Sequence, residues 1–152
     1  MKSGHLLSML CLAVLCCACG GNNPEQQKDF LSGYWEIQRV DSPYGNDKDY
    51  KISETIDYIE IKDSTGFRAK VLPRIDGTII TNGNTENIQV STENDSLRLI
   101  YTTNYDQWTE TVLEATENTL KVKNQKGMIY TYSRHKLIDL KADGLLPETV
   151  EQ

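Results

Sequence analysis

The chain has 152 residues, of which 38% are hydrophobic and 25% charged, and this composition favours one soluble domain over a disordered chain. Its formal net charge at pH 7 is −6. Because an acidic protein repels phosphate backbones, nucleic acid is excluded as an expected partner.

Residues 1–18 have the pattern of a secretory signal peptide. Lys2 precedes a largely apolar run over residues 6–15, and small residues follow it. The apolar run is too short to cross a bilayer, which takes about 20 apolar residues. We therefore predict export of the chain.

The stretch LCCACGG at residues 15–21 resembles the lipobox of bacterial lipoproteins, in which a cysteine after small residues is acylated and becomes the mature N-terminus. Cys19 is the expected lipid-attachment residue, because Ala18 precedes it and polar residues follow. Cys17 is the alternative. The sequence departs from the family pattern at Cys16, which stands where leucine is usual.

The lipobox resemblance implies a membrane partner, reached through an acyl anchor such as palmitate. Lipoproteins with an acidic residue after the cysteine stay in the inner membrane, whereas Gly20 stands there in this chain. The resemblance therefore implies the outer membrane, with its periplasmic and surface faces both open. Residues 19–30 are predicted to be the lipidated cysteine and a flexible tether.

All four cysteines lie within residues 11–19. If cleavage precedes Cys19, the mature body has no other cysteine. We therefore expect neither a disulfide, nor a thiolate metal site, nor a cysteine nucleophile in that body.

Residues 31–136 contain eight or nine short segments with strand-like alternation, joined by short turns. Short connections require antiparallel neighbours, and the simplest closure is an up-and-down barrel. We predict an all-β fold with an antiparallel barrel of about eight strands. Residues 137–152 are predicted to be a short C-terminal helix or tail. The helix is expected over residues 136–141, with its apolar side chains covering a barrel mouth or flank.

Alternation within the segments predicts which side chains share a face. In the first strand, Trp35, Ile37 and Arg39 are expected on one face and Val40 on the other. Residues 82–84, Asn-Gly-Asn, are predicted to form a hairpin turn between two strands.

A few residues of the predicted barrel resemble lipocalins. Gly33-Tyr34-Trp35 matches the G-x-W motif of that family, and Arg134 stands where the family has an arginine that packs across the tryptophan. Residues 103–105, Thr-Asn-Tyr, are similar to the family's T-D-Y loop, with Asn in place of Asp. Together with Leu31, these residues are similar to the lipocalin-like lipoproteins of Bacteroidetes. The resemblance implies a structural motif of Gly33, Trp35 and Arg134 that closes one end of the barrel.

An eight-stranded barrel is just wide enough either to be filled by side chains or to hold one small ligand. Both possibilities stay open from the sequence. The large apolar and aromatic residues expected in the interior are the candidates for lining a ligand cavity: Trp35, Phe67, Leu99, Tyr101 and Tyr130.

Residues with catalytic potential do not form a recognisable site. His135 is the only histidine of the mature body, and its grouping with Ser133 and Asp139 lacks a nucleophile elbow. Glu110 and Glu114 are expected on one strand face about 13–14 Å apart, which exceeds the carboxyl separations of glycosidases and favours a solvated face.

Metal and cofactor motifs are likewise missing from the sequence. Asn46, Asp47 and Asp49 lack the spacing of a calcium-binding loop, so a solvated loop is favoured. We expect no metal, no cofactor and no catalytic residue.

Two functions remain as hypotheses. The first is a non-catalytic cell-envelope module that binds a small apolar or amphipathic ligand. The second is a structural or assembly partner in an outer-membrane protein complex, with a filled barrel and no ligand. In that case the loops at residues 44–50 and 103–108 would contact the partner protein.

Overall fold

The computed structural model describes residues 23–137, which form one helix and nine strands. The elements are α1 (Pro24–Asp29), β1 (Gly33–Asp41), β2 (Lys48–Asp49), β3 (Ile56–Lys62), β4 (Thr65–Pro73), β5 (Ile79–Glu93), β6 (Ser96–Thr102), β7 (Gln107–Ala115), β8 (Thr119–Asn124) and β9 (Ile129–Arg134). The predicted signal peptide, Cys19 and the tail after Leu137 lie outside the described residues.

The strands close into an antiparallel barrel. From β3 to β9, each strand pairs with the next one along the chain, and β1 pairs with both β3 and β9. The barrel wall therefore has eight strands, and β2 is a short addition beside β1. This confirms the predicted all-β, up-and-down barrel of about eight strands.

The two ends of the barrel differ. At one end, helix α1 packs against β6 and β7, near the turns that join β3 to β4, β5 to β6 and β7 to β8. We call this the closed end. The other end, the open end, carries the loops at residues 42–55, 74–78, 103–106 and 125–128.

Helix α1 corrects the prediction of a flexible tether up to residue 30. The side chain of Asn23 accepts a hydrogen bond from the backbone N–H of Gln26 at 2.9 Å, which caps the helix. Pro24 presets the backbone of the first turn. Gln27 is buried, so the helix is held against the barrel.

The closed end is held by a contact between the first and last strands. Arg134 of β9 lies over the buried indole of Trp35, 4.1 Å from the ring centre. Its guanidinium donates to the backbone carbonyls of Phe30 at 2.8 Å and Ser32 at 2.9 Å, and also to that of Glu117. The expected packing of Arg134 across Trp35 is confirmed.

Gly33 is needed for this contact. A Cβ atom at Gly33 would collide with Nη1 of Arg134, and its φ of +138° is one that side chains with a Cβ rarely adopt. The indole N–H of Trp35 donates to the carbonyl of Leu31 at 2.8 Å. The predicted motif therefore has a steric basis in this chain.

A bulge in β1 reverses the predicted alternation. The register with β9 shifts between Ile37 and Arg39, so Val40 is buried and Arg39 points outward. The prediction that Arg39 shares a face with Trp35 is wrong, because the extra residue at the bulge turns the following side chains over. Outside the barrel, Arg39 forms ion pairs with three carboxylates: Asp41, Asp47 and Asp49.

A second irregularity replaces the hairpin turn predicted at residues 82–84. β5 is one strand of 15 residues, and its register with β4 moves from Ala69 opposite Thr85 to Val71 opposite Thr81. At this bulge, residues 82–84 of β5 stand opposite the single residue Lys70 of β4. Gly83 permits it with a φ of +77°.

We expect Arg134→Met to destabilise the fold. Methionine still covers the indole, but the variant loses three hydrogen bonds from a charged donor, which should cost about 3 kcal/mol because the exposed carbonyls regain water. Urea unfolding measures this loss. Arg74→Met, at an exposed turn, is the control and should change stability by less than about 0.5 kcal/mol. Equal stability of the two variants would contradict the closing role of Arg134.

Candidate functional site

The closed half of the barrel interior is packed. A void of about 10 Å³ remains between Trp35, Tyr101 and their neighbours, which is at most the room for one water molecule. The interior core consists of Leu31, Trp35, Ile59, Ile88, Val90, Leu97, Leu99, Tyr101, Val112, Ala115, Leu120, Val122 and Tyr132.

The open half of the interior holds a cavity of about 580 Å³, which we call the mouth cavity. This volume lies in the range of small-molecule sites. Polar and charged residues line it: Asp57, Arg68, Lys70, residues 82–86 and residues 103–105. The barrel is therefore filled in its closed half and has a cavity in its open half.

None of the residues predicted to line a cavity lies at the mouth cavity. Trp35 and Tyr101 border the small void, and Leu99 is packed in the core. Tyr130 is half-buried, and its hydroxyl accepts a hydrogen bond from the side chain of Asn124 at 3.3 Å.

Phe67 lies on the outside of the barrel, against prediction. Its partner in the register is Glu60, whereas the inward-facing pairs of the same strands are Ile59 with Arg68 and Asp57 with Lys70. Because successive side chains of a strand alternate, Arg68 and Lys70 point inward and Phe67 points away.

Five charged residues on the inward faces of β3, β4, β5 and β7 form what we call the floor cluster: Asp57, Arg68, Lys70, Glu86 and Glu110. Arg68 lies at its centre. Its Nε is 2.5 Å from Glu86 and its Nη1 is 3.7 Å from Glu110. The guanidinium also lies 4.3 Å from the ring centre of Tyr101, which lies below it.

A second ion pair completes the floor cluster. Nζ of Lys70 is 2.7 Å from Oδ1 of Asp57. The carboxylate of Asp57 is buried, but more than half of the Lys70 side chain is exposed. The ammonium group of Lys70 therefore faces the cavity and also neutralises the buried carboxylate of Asp57.

The prediction that Glu110 and Glu114 form a solvated pair of carboxylates on one strand face is wrong. The register of β7 with β8 shifts between Val112 and Glu114, so Glu110 and Glu114 do not share a face. Only 5% of Glu110 is exposed. Burial raises the pKa of Glu110, and the positive charge of Arg68 opposes that rise.

The floor cluster was not found from the sequence, although a signal existed. Inward positions of three consecutive strands carry charges of both signs: Asp57 on β3, Arg68 and Lys70 on β4, and Glu86 on β5. Complementary charges at paired positions are favourable across a sheet, so their alternation could have marked an interior face.

Toward the open end, the face of β4 and β5 that carries the floor cluster continues beyond the cavity lining as an apolar pair, which we call the apolar wall. Leu72 of β4 pairs with Ile80 of β5, and both lie on the same face as Lys70. They are 38% and 40% exposed. Tyr105 at the rim is also exposed. The charged floor and the apolar wall therefore follow one another on one face of β4 and β5.

Within residues 23–137, no group of three or more His, Cys, Asp or Glu side chains is arranged to hold a metal ion. No helix in that range is long and apolar enough to cross a membrane.

We expect the stability of the protein to fall as the pH rises through the titration of Glu110. Since burial raises the pKa of Glu110 above the ordinary value of 4.5, the folded chain binds more protons than the unfolded chain between these two values. The free energy of unfolding then decreases with pH across that interval. Urea unfolding from about pH 4 to about pH 8 measures the decrease.

Glu110→Gln should abolish this component of the pH dependence, so that its stability relative to the native protein increases with pH. Glu54→Gln, on an exposed loop, is the control and should keep the native slope. Parallel curves for the native protein and Glu110→Gln would contradict the assignment.

Comparison with known proteins gives three kinds of result. A family model described as "Lipocalin-like domain" matches residues 31–122. No protein with a curated functional description matches the chain. Solved structures resemble it at low sequence identity.

One of them is a lipocalin-like protein from Bacteroides uniformis ATCC 8492, which is 13% identical over 69% of this chain and 98% of that chain, with a TM-score of 0.44. Lobster apocrustacyanin A1 is 14% identical over 77% of this chain and 68% of that chain, with a TM-score of 0.42. Apocrustacyanin C1 has the same identity and coverage and a TM-score of 0.43. Since the family model covers more than half of the chain, this protein belongs to the family of lipocalin-like domains.

Proposed function

We propose that this protein is a non-catalytic binding module that holds a small amphipathic ligand in the mouth cavity. The observation that carries the proposal is a cavity of about 580 Å³ with a charged floor, next to the apolar pair of Leu72 and Ile80 on the same face of β4 and β5. A ligand with a polar end and an apolar end would satisfy both surfaces when its polar end points inward.

The charges of the cavity lining favour a polar end without net charge. Asp57 is paired with Lys70, and Glu86 with Arg68, so the two acidic and two basic side chains that line the cavity balance, while Glu110 is buried beneath them. An ionic group would bring an additional charge against this balanced lining, and a buried charge without a partner is costly. A neutral or zwitterionic polar end leaves both pairs intact and can bond to them.

A wholly apolar ligand fits the cavity less well. It would remove water from Lys70 and Glu86 without replacing the lost hydrogen bonds, and unpaired polar groups are costly to bury. Of the apolar and amphipathic ligands considered from the sequence, the amphipathic one is therefore favoured.

We also propose that the protein works in the cell envelope, attached by an acyl chain such as palmitate at Cys19. The support is the lipobox-like sequence at residues 15–21, and Gly20 favours the outer membrane. Both inferences rest on the sequence alone.

A second candidate function is contact with a partner protein in an outer-membrane complex. Large side chains are exposed at the open end: Tyr44, Ile52, Ile75 and Tyr105. Exposed aromatic and apolar residues of this kind are typical of protein interfaces. In this alternative the mouth cavity holds no ligand.

Native mass spectrometry of the full chain purified from its own host tests the ligand proposal. We expect a bound species of a few hundred daltons, as befits a site of this volume. Ile80→Asp places a charge on the apolar wall and should release the species. Ile79→Asp is the matched control, because Ile79 is 36% exposed but faces outward in the same hairpin. A bare mass for the native chain would favour the partner-protein alternative.

The charge preference is tested with three probes that share a twelve-carbon chain: dodecylphosphocholine, dodecanoate and dodecylammonium. Below their micellar concentrations, calorimetric titration should show that the zwitterionic probe binds about tenfold more tightly than either ion. Tighter binding of an ionic probe would overturn the balanced-floor argument.

Metabolic labelling with an alkyne analogue of palmitate tests the anchor. We expect the label on the native chain and on Cys17→Ser, and its loss from Cys19→Ser, because a thiol is needed for acylation. Retention of the label by Cys19→Ser together with its loss from Cys17→Ser would move the attachment site to Cys17.

A further inference from the structure

An apolar surface lies on the outside of the barrel, where β1, β3 and β4 are neighbours. The register places its residues opposite one another and pointing away from the interior. We call it the outer patch, and it comprises Tyr34, Ile56, Tyr58, Phe67, Ala69 and Val71.

The outer patch is nearly inaccessible although it faces outward. Ile56, Ala69 and Val71 are only 1%, 6% and 5% exposed. Neighbours on one sheet face shield each other's flanks, as the rings of Tyr34 and Tyr58 do at 4.7 Å. The side that points away from the barrel needs a cover from outside, and helix α1 packs elsewhere, against β6 and β7.

The chain leaves the last strand beside this surface. The backbone N–H of His135 donates to the carbonyl of Tyr34 at 2.8 Å, and its Nδ1 is 3.6 Å from a carboxylate oxygen of Glu36. Leu137, the last described residue, is half-buried. The continuation of the chain therefore starts at the β1 edge of the outer patch.

The sequence that follows is suited to cover it. Residues 138–146 carry four large apolar side chains: Ile138, Leu140, Leu145 and Leu146. The outer patch spans three strands, which is about 10 Å, and four residues along a strand, which is about 14 Å. A helix over residues 138–146 would be about 13.5 Å long, and an extended segment would be longer.

We propose that residues 138–146 of this same chain pack across the outer patch, with their apolar side chains against Ile56, Ala69 and Val71. The segment makes the outer surface of β3 and β4 an internal interface. It also leaves the mouth cavity, on the opposite face of these strands, free for a ligand.

Thiol labelling of Ala69→Cys in the full chain tests the proposal. Peptide mapping separates this position from the cysteines at residues 11–19. We expect slow labelling in the otherwise native chain and about tenfold faster labelling when Leu140→Asp and Leu145→Asp are added, a change that corresponds to about 1.4 kcal/mol. Val150→Asp lies beyond the covering segment and should leave the rate unchanged. Thr85→Cys, opposite Ala69 on an exposed position of β5, should label rapidly in every background.

A second measurement tests the proposal even if the variant with Leu140→Asp and Leu145→Asp does not fold. Under mild oxidation, a chain with Ala69→Cys and Leu140→Cys should form a disulfide within one molecule, whereas a chain with Ala69→Cys and Val150→Cys should not. The proposal is overturned if the aspartates leave Ala69→Cys protected and the disulfide fails to form. Protection that weakens on dilution would instead assign the cover to a second copy of the chain, which also overturns it.

Discussion

The contact between Arg134 and Trp35 is the constraint on which the rest of the barrel depends. It brings together the start of the first barrel strand, the end of the last one and the turn between β7 and β8. Closed in this way, each of the eight strands of the barrel wall pairs on both sides. The side chains of the closed half pack around the indole of Trp35. In the open half, the strands of the closed barrel wall surround the mouth cavity.

Charge inside the open half needs a different explanation from the packing below it. Buried ion pairs seldom stabilise a fold more than apolar residues of the same size would. Arg68 is nevertheless placed over Tyr101 and between Glu86 and Glu110. Charged side chains at the bottom of an accessible cavity can recognise a polar group there, and this is why we propose ligand binding for the cavity.

The fold was largely predictable from the sequence, because alternation and short turns identify antiparallel strands and because Gly33, Trp35 and Arg134 have a steric relation that few other residues could satisfy. The bulges were not predictable. Those at Ile37–Arg39 and Val112–Glu114 add a residue without leaving a mark in the hydrophobic pattern, and each one reverses the faces that follow.

The candidate site was missed for a related reason. Both faces of β4 are plausible interiors, since one carries Phe67, Ala69 and Val71 and the other carries Arg68 and Lys70. Hydrophobicity alone predicts that the face with Phe67, Ala69 and Val71 is the interior one. That prediction is wrong here, because the apolar face is the outer one and the charged face lines the cavity. Only the pairing of β4 with β3 and β5 distinguishes the two faces.

Helix α1 has a consequence for the direction in which the protein faces. It is capped by Asn23 and held at the closed end, so only three residues would separate an acylated Cys19 from the cap, and the distance from Cys19 to Asn23 would be at most about 14 Å. With so short a linker, the closed end of the barrel would lie at the bilayer surface, and the mouth cavity would open away from that membrane. A ligand would then enter from the aqueous side, and the lipids of the anchoring leaflet would be out of reach.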